Sequence, residues 1–327
     1  MFITIKIRHR AASLALGVTL GLTALKLVVA LLSHSAGVMS EAIHSFLDLV
    51  SAAVSYFTIR EAGKPADEEH PFGHGKIETL SSLFESLLLI LAAGLMIFEG
   101  VDHMRNPSSI RHEALAIGVI CFSLVVSYWA FRQNAAAAKQ TESSALQVNA
   151  LHFFSDVVAS LGVLLALGLM KITGWLMIDA LIAFGVAAYV LLVSAKQVKV
   201  ALKELTDTQL PQSEIQTIWG ILDVSSENMP QKIHEKVQES PQVHASDKII
   251  EAHDLRTRKS GATRHIDFHL VVCGQMSVEI SHAVCDQLEG KIQNVFPQSS
   301  VNIHVEPCEK EKTQCHLTCP HLNRNKS

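Results

Sequence analysis

The segment Ala42-Ile43-His44-Ser45-Phe46-Leu47-Asp48 sets an imidazole and a carboxylate four residues apart inside an apolar run. The same pattern returns at Ala150-Leu151-His152-Phe153-Phe154-Ser155-Asp156. On a helix, residues i and i+4 lie one turn apart on one face, so each copy presents a His and an Asp together, and two such faces meeting supply four ligands. An ionisable side chain in the middle of a membrane helix costs roughly 2.5–3.5 kcal/mol on insertion scales. Matched pairs of them therefore call for a partner. Two carboxylates and two neutral imidazoles carry two negative charges that one divalent cation cancels, and a closed set of four N and O donors suits tetrahedral Zn²⁺. The competing reading, two separate His–Asp hydrogen bonds holding helices together, leaves the repetition unaccounted for.

The sequence around these segments sets the architecture. The chain has 327 residues, of which 49% are hydrophobic and 18% charged. Its mean hydropathy of +0.27 is too apolar for an ordinary soluble protein of this length. Six stretches, near 11–33, 37–60, 77–101, 113–132, 145–170 and 176–198, each approach the ~20 residues a bilayer requires. Lys6, Arg8 and Arg10 ahead of the first imitate a secretory signal, but the run that follows is long enough to be kept as a span. An even number of spans puts both termini on one side. Lys6, Arg8, Arg10, Arg60, Lys64, Lys76, Arg132, Lys139, Lys196, Lys199 and Lys203 fall on that side, against Arg105, Arg111 and Lys171 opposite. Both termini are thus expected in the cytoplasm. Lys26, Glu85 and Asp179 lie in or beside the spans, and for the two carboxylates a polar path and a helix cap remain equal readings. A net charge of −4 offers no footprint for nucleic acid.

Past the spans the chain turns polar. Residues 1–205 read as a six-helix all-α membrane domain, 206–247 as a linker with a helical segment, 248–307 as a small α+β domain and 308–327 as a tail. In the linker, Ile215, Ile218, Trp219 and Leu222 have helical spacing, and a second patch surrounds Ile233 and Val237. Residues 249–258 read as a strand, with a turn at Ser260-Gly261. Next, Ile266, Phe268, Leu270 and Val272 alternate against His265, Asp267 and His269, a helix covers 278–296, and Val301, Ile303 and Val305 alternate again. The order helix, strand, strand, helix, strand predicts helices on one sheet face. Polar positions of this domain hold His253, His269, His282, His304 and Glu306, a donor set suited to Zn²⁺.

Two further segments carry ligand-type residues. Asp67, His70 and His74 have metal-ligand spacing around Pro71, Gly73 and Gly75, the alternative being a solvated acidic loop with incidental histidines. The tail offers Cys308, Cys315, His316, Cys319 and His321. In a reducing compartment such thiols suit soft metals, and an exposed end without a role is the other reading.

The paired HxxxD motifs, the segment His70-Pro71-Phe72-Gly73-His74-Gly75-Lys76-Ile77-Glu78 and the segment His253-Asp254-Leu255-Arg256-Thr257-Arg258 together resemble the cation diffusion facilitator family over nearly the whole chain. The resemblance implies a homodimeric metal/proton antiporter, not an enzyme, that expels zinc or a similar divalent ion across a bilayer. It also implies a ferredoxin-like, metallochaperone-like cytoplasmic domain that binds metal and tightens the dimer. Carried over by motif, His44, Asp48, His152 and Asp156 make the transport site, and Asp67, His70 and His74 the loop site. His253, His269, His282, His304 and Glu306 make the cytoplasmic site, with Glu306 where relatives often carry Asp. Lys76 and Asp207 resemble a pair tying the membrane domains near the cytoplasmic face. Residues 225–245 and the Cys-rich tail depart from the compact bacterial members, and a bacterial inner membrane is the expected location.

Histidine in both copies favours Zn²⁺ as cargo with protons as counter-ion, and Fe²⁺, Cd²⁺ or Co²⁺ is the alternative. Two rivals stand outside this reading. An intramembrane metalloenzyme using Glu41 lacks an HExxH pair and an open coordination position. A membrane-anchored metal sensor or scaffold has no need of buried ligands within its anchor.

Overall fold

The computed structural model describes residues 2–33, 36–105, 113–175, 177–222, 249–274 and 276–308. The chain divides into two compact units, Met1–Thr206 and Asp207–Ser327.

The first unit is built from α1 (Phe2–Ser33), α2 (Ala36–Ala62), α3 (Gly75–Arg105), α4 (Glu113–Thr141), α5 (Ser144–Thr173) and α6 (Met177–Leu205). Its surface reverses the soluble pattern. Leu20, Phe98, Leu161 and Leu192 point outward, while Ala15, Ala93, Ala130, Ser86, Ser127 and Ser194 are buried between helices. That distribution fits a lipid surround, where large apolar side chains face the solvent and small residues let helices approach. In such a medium the helix satisfies every backbone group internally. Among the described residues, four stretches are long and apolar enough to cross a membrane: Ile5–Val29, Gly75–Asp102, Ser144–Thr173 and Ala180–Leu205. Among the described residues α2 and α4 fall outside that count, and the described part of α2 includes Asp48, Arg60 and Glu61.

Helix ends explain the placement of α5. Ser143 caps it by accepting a hydrogen bond from the Leu146 N–H, and it closes at Gly174, whose φ of +70° lets its N–H reach the Met170 carbonyl. Ser143 also donates to the Glu78 carboxylate of α3, which lies 3.5 Å from Arg8 of α1. Three helices therefore converge on one buried carboxylate.

The second unit runs α7 (Gln212–Leu222), β1 (Ile249–Ser260), β2 (Thr263–Val272), α8 (Val278–Val295) and β3 (Ser299–Pro307). This is the helix, strand, strand, helix, strand order expected from the sequence, whereas the patch around Ile233 and Val237 lies outside the described residues. β2 is central, antiparallel to β1 and parallel to β3. The antiparallel pair closes through a tight turn at Gly261, where φ is +59°. The alternation on β2 sends Ile266, Phe268, Leu270 and Val272 into a core with Ile215, Ile218 and Leu222 of α7 and Val284, Leu288 and Ile292 of α8. Arg264 fastens α7 to the sheet through two hydrogen bonds to Glu214, at 2.7 and 3.1 Å. With both helices joined to one core, the opposite positions of the strands are left for polar side chains.

Candidate functional site

Among the described residues, donor atoms converge in three places. In the helical unit, α2 brings Asp48 and α5 brings His152 and Asp156. His152 Nε2 lies 3.3 Å from Asp48 Oδ1 and 4.0 Å from Asp156 Oδ2. The His152 ring is buried, and neither of its nitrogens has a hydrogen-bond partner. Buried polar atoms are normally satisfied, so an imidazole left open between two carboxylates is a site with ligand atoms to spare. The i, i+4 spacing of His152 and Asp156 places both on one face of α5, as the sequence pattern predicts. Lys26 of α1 is close enough to act on His152 electrostatically. The side chain of His44 lies outside the described residues.

The loop between α2 and α3 gathers the second set. Asp67 Oδ1 accepts the His70 N–H at 2.7 Å, and Gly73, with φ at +79°, closes the turn by donating to the His70 carbonyl. This fold brings His70 Nδ1 and His74 Nε2 each within 3.4 Å of the Asp67 carboxylate. His74 is buried and its Nδ1 lacks a partner, while Asp67 and His70 are exposed. The backbone N–H of His70, joined by the nearby His74, holds the Asp67 carboxyl below the usual carboxylate range.

The third set lies on the polar positions of the sheet. Strand register aligns His253, His269 and His304 across β1, β2 and β3. Ring centroids are 5.3 Å apart for the first pair and 4.8 Å for the second. Glu306 binds this row together. Its carboxylate is 2.9 Å from His269 Nδ1, 3.5 Å from His253 Nε2 and 3.8 Å from His304 Nε2. His253, His269 and Glu306 offer atoms close enough to share one ion, and His304 stands at the rim, largely exposed.

Asp254, which sequence reading passed over, also reaches His269, at 3.7 Å. It does so from a bulge in β1, where its φ is +50°. Only the proximity of an Asp, a residue tolerant of that conformation, to the His253 strand end signalled it.

His282 lies on α8, exposed and 3.8 Å from Asp286, beside an open groove lined also by Cys273 and Cys285. In a single chain it does not join the other histidines, because α8 is packed on the core. Asp207 opens the second unit 3.7 Å from Arg258, and Lys76 belongs to the first unit. Cys308 is half-buried and extends the sheet by donating its N–H to the Val272 carbonyl, whereas Cys315, His316, Cys319 and His321 lie outside the described residues.

Comparison with known proteins agrees with this layout. The cation efflux transmembrane domain matches residues 12–206, and the cytoplasmic domain of cation efflux proteins matches 229–308. The chain is 31% identical over 317 residues to the uncharacterized transporter sll1263 of Synechocystis, covering 96% of this chain and 94% of the relative. It is 31% identical over 299 residues to the cation-efflux pump FieF of Salmonella arizonae, covering 91% and 92% respectively. A solved structure of CzrB in its zinc form shares 32% identity over 32% of this chain and 98% of its own, with a TM-score of 0.22. The chain belongs to the cation diffusion facilitator family. It is accordingly an integral membrane protein of the cation-efflux class, with a helical membrane domain followed by a cytoplasmic domain built on a small sheet.

Proposed function

We propose that this chain is a Zn²⁺/H⁺ antiporter that moves zinc out of the cytoplasm, working as a homodimer. Six helices span a bacterial inner membrane in this reading, with both termini cytoplasmic. The observation that carries it is the meeting of Asp48, His152 and Asp156 between α2 and α5, with an imidazole whose nitrogens are unclaimed. In this reading His44, four residues before Asp48 in the sequence, is the fourth donor. Imidazole with carboxylate in a tetrahedral cage selects Zn²⁺ over Mn²⁺ or Mg²⁺, which prefer six oxygens.

The driving force follows from the same groups. When the cation leaves, two carboxylates and two imidazoles are left together in a low-dielectric site, and protons take its place. Cytoplasmic zinc then expels those protons, because ligands must be deprotonated to bind. Rocking of the helices around a site that itself changes little exposes it alternately to each side. The sheet cluster of His253, His269, His304 and Glu306 serves as a regulatory zinc site of a ferredoxin-like domain, and Asp67, His70 and His74 as a loop site.

The test is metal-resolved flux in proteoliposomes. Zinc is expected to outrun Fe²⁺, Cd²⁺ and Mn²⁺, and Asp48→Ala to abolish its movement. A variant that keeps full flux would overturn the assignment of the pathway, and faster Fe²⁺ or Cd²⁺ would overturn the choice of cargo.

A further inference from the structure

The helical unit contains a second ionisable group that the metal site does not use. Glu85 lies on α3 within the apolar stretch Gly75–Asp102, and only 1% of it is exposed. One carboxyl oxygen, Oε1, accepts the Ser81 hydroxyl at 2.7 Å, while Oε2 is buried without a hydrogen-bond partner. No Lys, Arg or His among the described residues forms an ion pair with it. The charged group whose field reaches it is Glu78, two turns earlier on α3 and of the same sign. From α2 the link is a hydroxyl: Thr58 donates to Ser81 Oγ at 2.8 Å and lies 3.1 Å from the Ser55 carbonyl, to which it also donates. From α5 comes Asn149, an amide, which donates to Ser55 Oγ at 2.6 Å.

A buried carboxylate with one oxygen unsatisfied and a like charge nearby is held there at high cost, and a proton removes the charge. The polar groups around Glu85 also lead to the metal site. Ser55 lies seven residues beyond Asp48, two turns along α2, and Asn149 lies three residues before His152 on α5. The Asn149–Ser55 bond therefore bridges the same two helices that the metal site bridges. A change in the α2–α5 spacing on metal binding is felt at Ser55 and, through the Thr58 and Ser81 hydroxyls, at Glu85.

We propose that Glu85 is a second proton-carrying site of the membrane unit, coupled to metal occupancy through Asn149 and Ser55. The proton adds to Oε2, and no other covalent bond forms or breaks. Glu85 holds this proton while the site is empty and gives it up when zinc draws α2 and α5 together. This inference rests on the antiport reading given above.

The experiment compares full-length wild type, Glu85→Gln and Glu85→Asp in proteoliposomes, reading zinc flux against pH and protons released per zinc bound. Gln keeps the hydrogen-bonding shape but carries no titratable proton, so Glu85→Gln should still bind zinc while releasing about one proton fewer per ion. Its flux should lose the corresponding titration, and Glu85→Asp should restore both. Should Glu85→Gln fail to fold, the infrared difference spectrum of the wild type on zinc binding decides, a protonated-carboxyl band lost with zinc being expected and its absence overturning the proposal. Identical stoichiometry and pH profile in wild type and Glu85→Gln would overturn the role of Glu85 and leave the antiport intact. A wild type indifferent to the gradient would overturn both.

Discussion

His152 on α5 and Asp48 on α2 face each other with Nε2 and Oδ1 3.3 Å apart, yet the imidazole makes no hydrogen bond through either nitrogen. A His–Asp contact serving only to join helices would settle into a directed bond of about 2.7–3.0 Å. Here two carboxylates flank an unclaimed nitrogen instead, which is the donor arrangement a cation requires. Loss of one ligand should weaken zinc binding in the membrane unit by at least about 100-fold, since even outer-shell losses reach that figure. Equilibrium zinc titration of Asp156→Ala in detergent checks this, and an unchanged affinity would assign the cluster a purely structural role.

The Arg8–Glu78 pair predicts a stability effect. Glu78 is 1% exposed and receives the Ser143 hydroxyl, the Ala145 N–H and Arg8. Removing Arg8 leaves that carboxylate buried without its cation, which costs about 3–5 kcal/mol. Thermal unfolding of Arg8→Ala should show a large loss, and adding Glu78→Gln should recover part of it. Wild-type stability in Arg8→Ala would show that the pair contributes nothing.

Gly162 of α5 packs tightly against α6. A Cβ there would stand 2.9 Å from Val186 Cγ2 and 3.2 Å from Ile182 Cγ2. Gly162→Ala is therefore expected to destabilise the helical unit by about 1–3 kcal/mol through overpacking, read as a lowered Tm in detergent. An unchanged Tm would mean that α5 and α6 separate freely.

The sequence made the site legible where chemistry and spacing coincide. His152 with Asp156, and Asp67 with His70 and His74, meet because helical spacing and a glycine turn bring local residues together. The order of elements in the second unit was equally plain, because β2 alternates cleanly between Phe268 and His269. What spacing could not supply was long-range register. The alignment of His253 with His269 and His304 depends on strand pairing, and the approach of Asp254 depends on a bulge. His282 illustrates the converse: its residue type suited the cluster, but α8 carries it elsewhere. Glu78 was visible as a charge, whereas its partners Ser143 and Arg8 appear only once helices pack.

The loop carboxylate predicts an acid-dependent stability. The depressed Asp67 carboxyl contributes stability that is present above its unfolded pKa of about 3.9 and is lost only as pH falls through the still lower folded value. Asp67→Asn removes that contribution, so the fall in Tm of the metal-free protein between about pH 5 and pH 3 should be smaller in the variant than in the wild type. Identical Tm profiles in the two would contradict this.

The most direct test of the account is zinc flux into proteoliposomes under an imposed pH gradient, with wild type and Asp156→Ala side by side. The account predicts flux that follows the gradient, reverses with its sign and disappears in the variant. Flux indifferent to the gradient, or undiminished without Asp156, would contradict it.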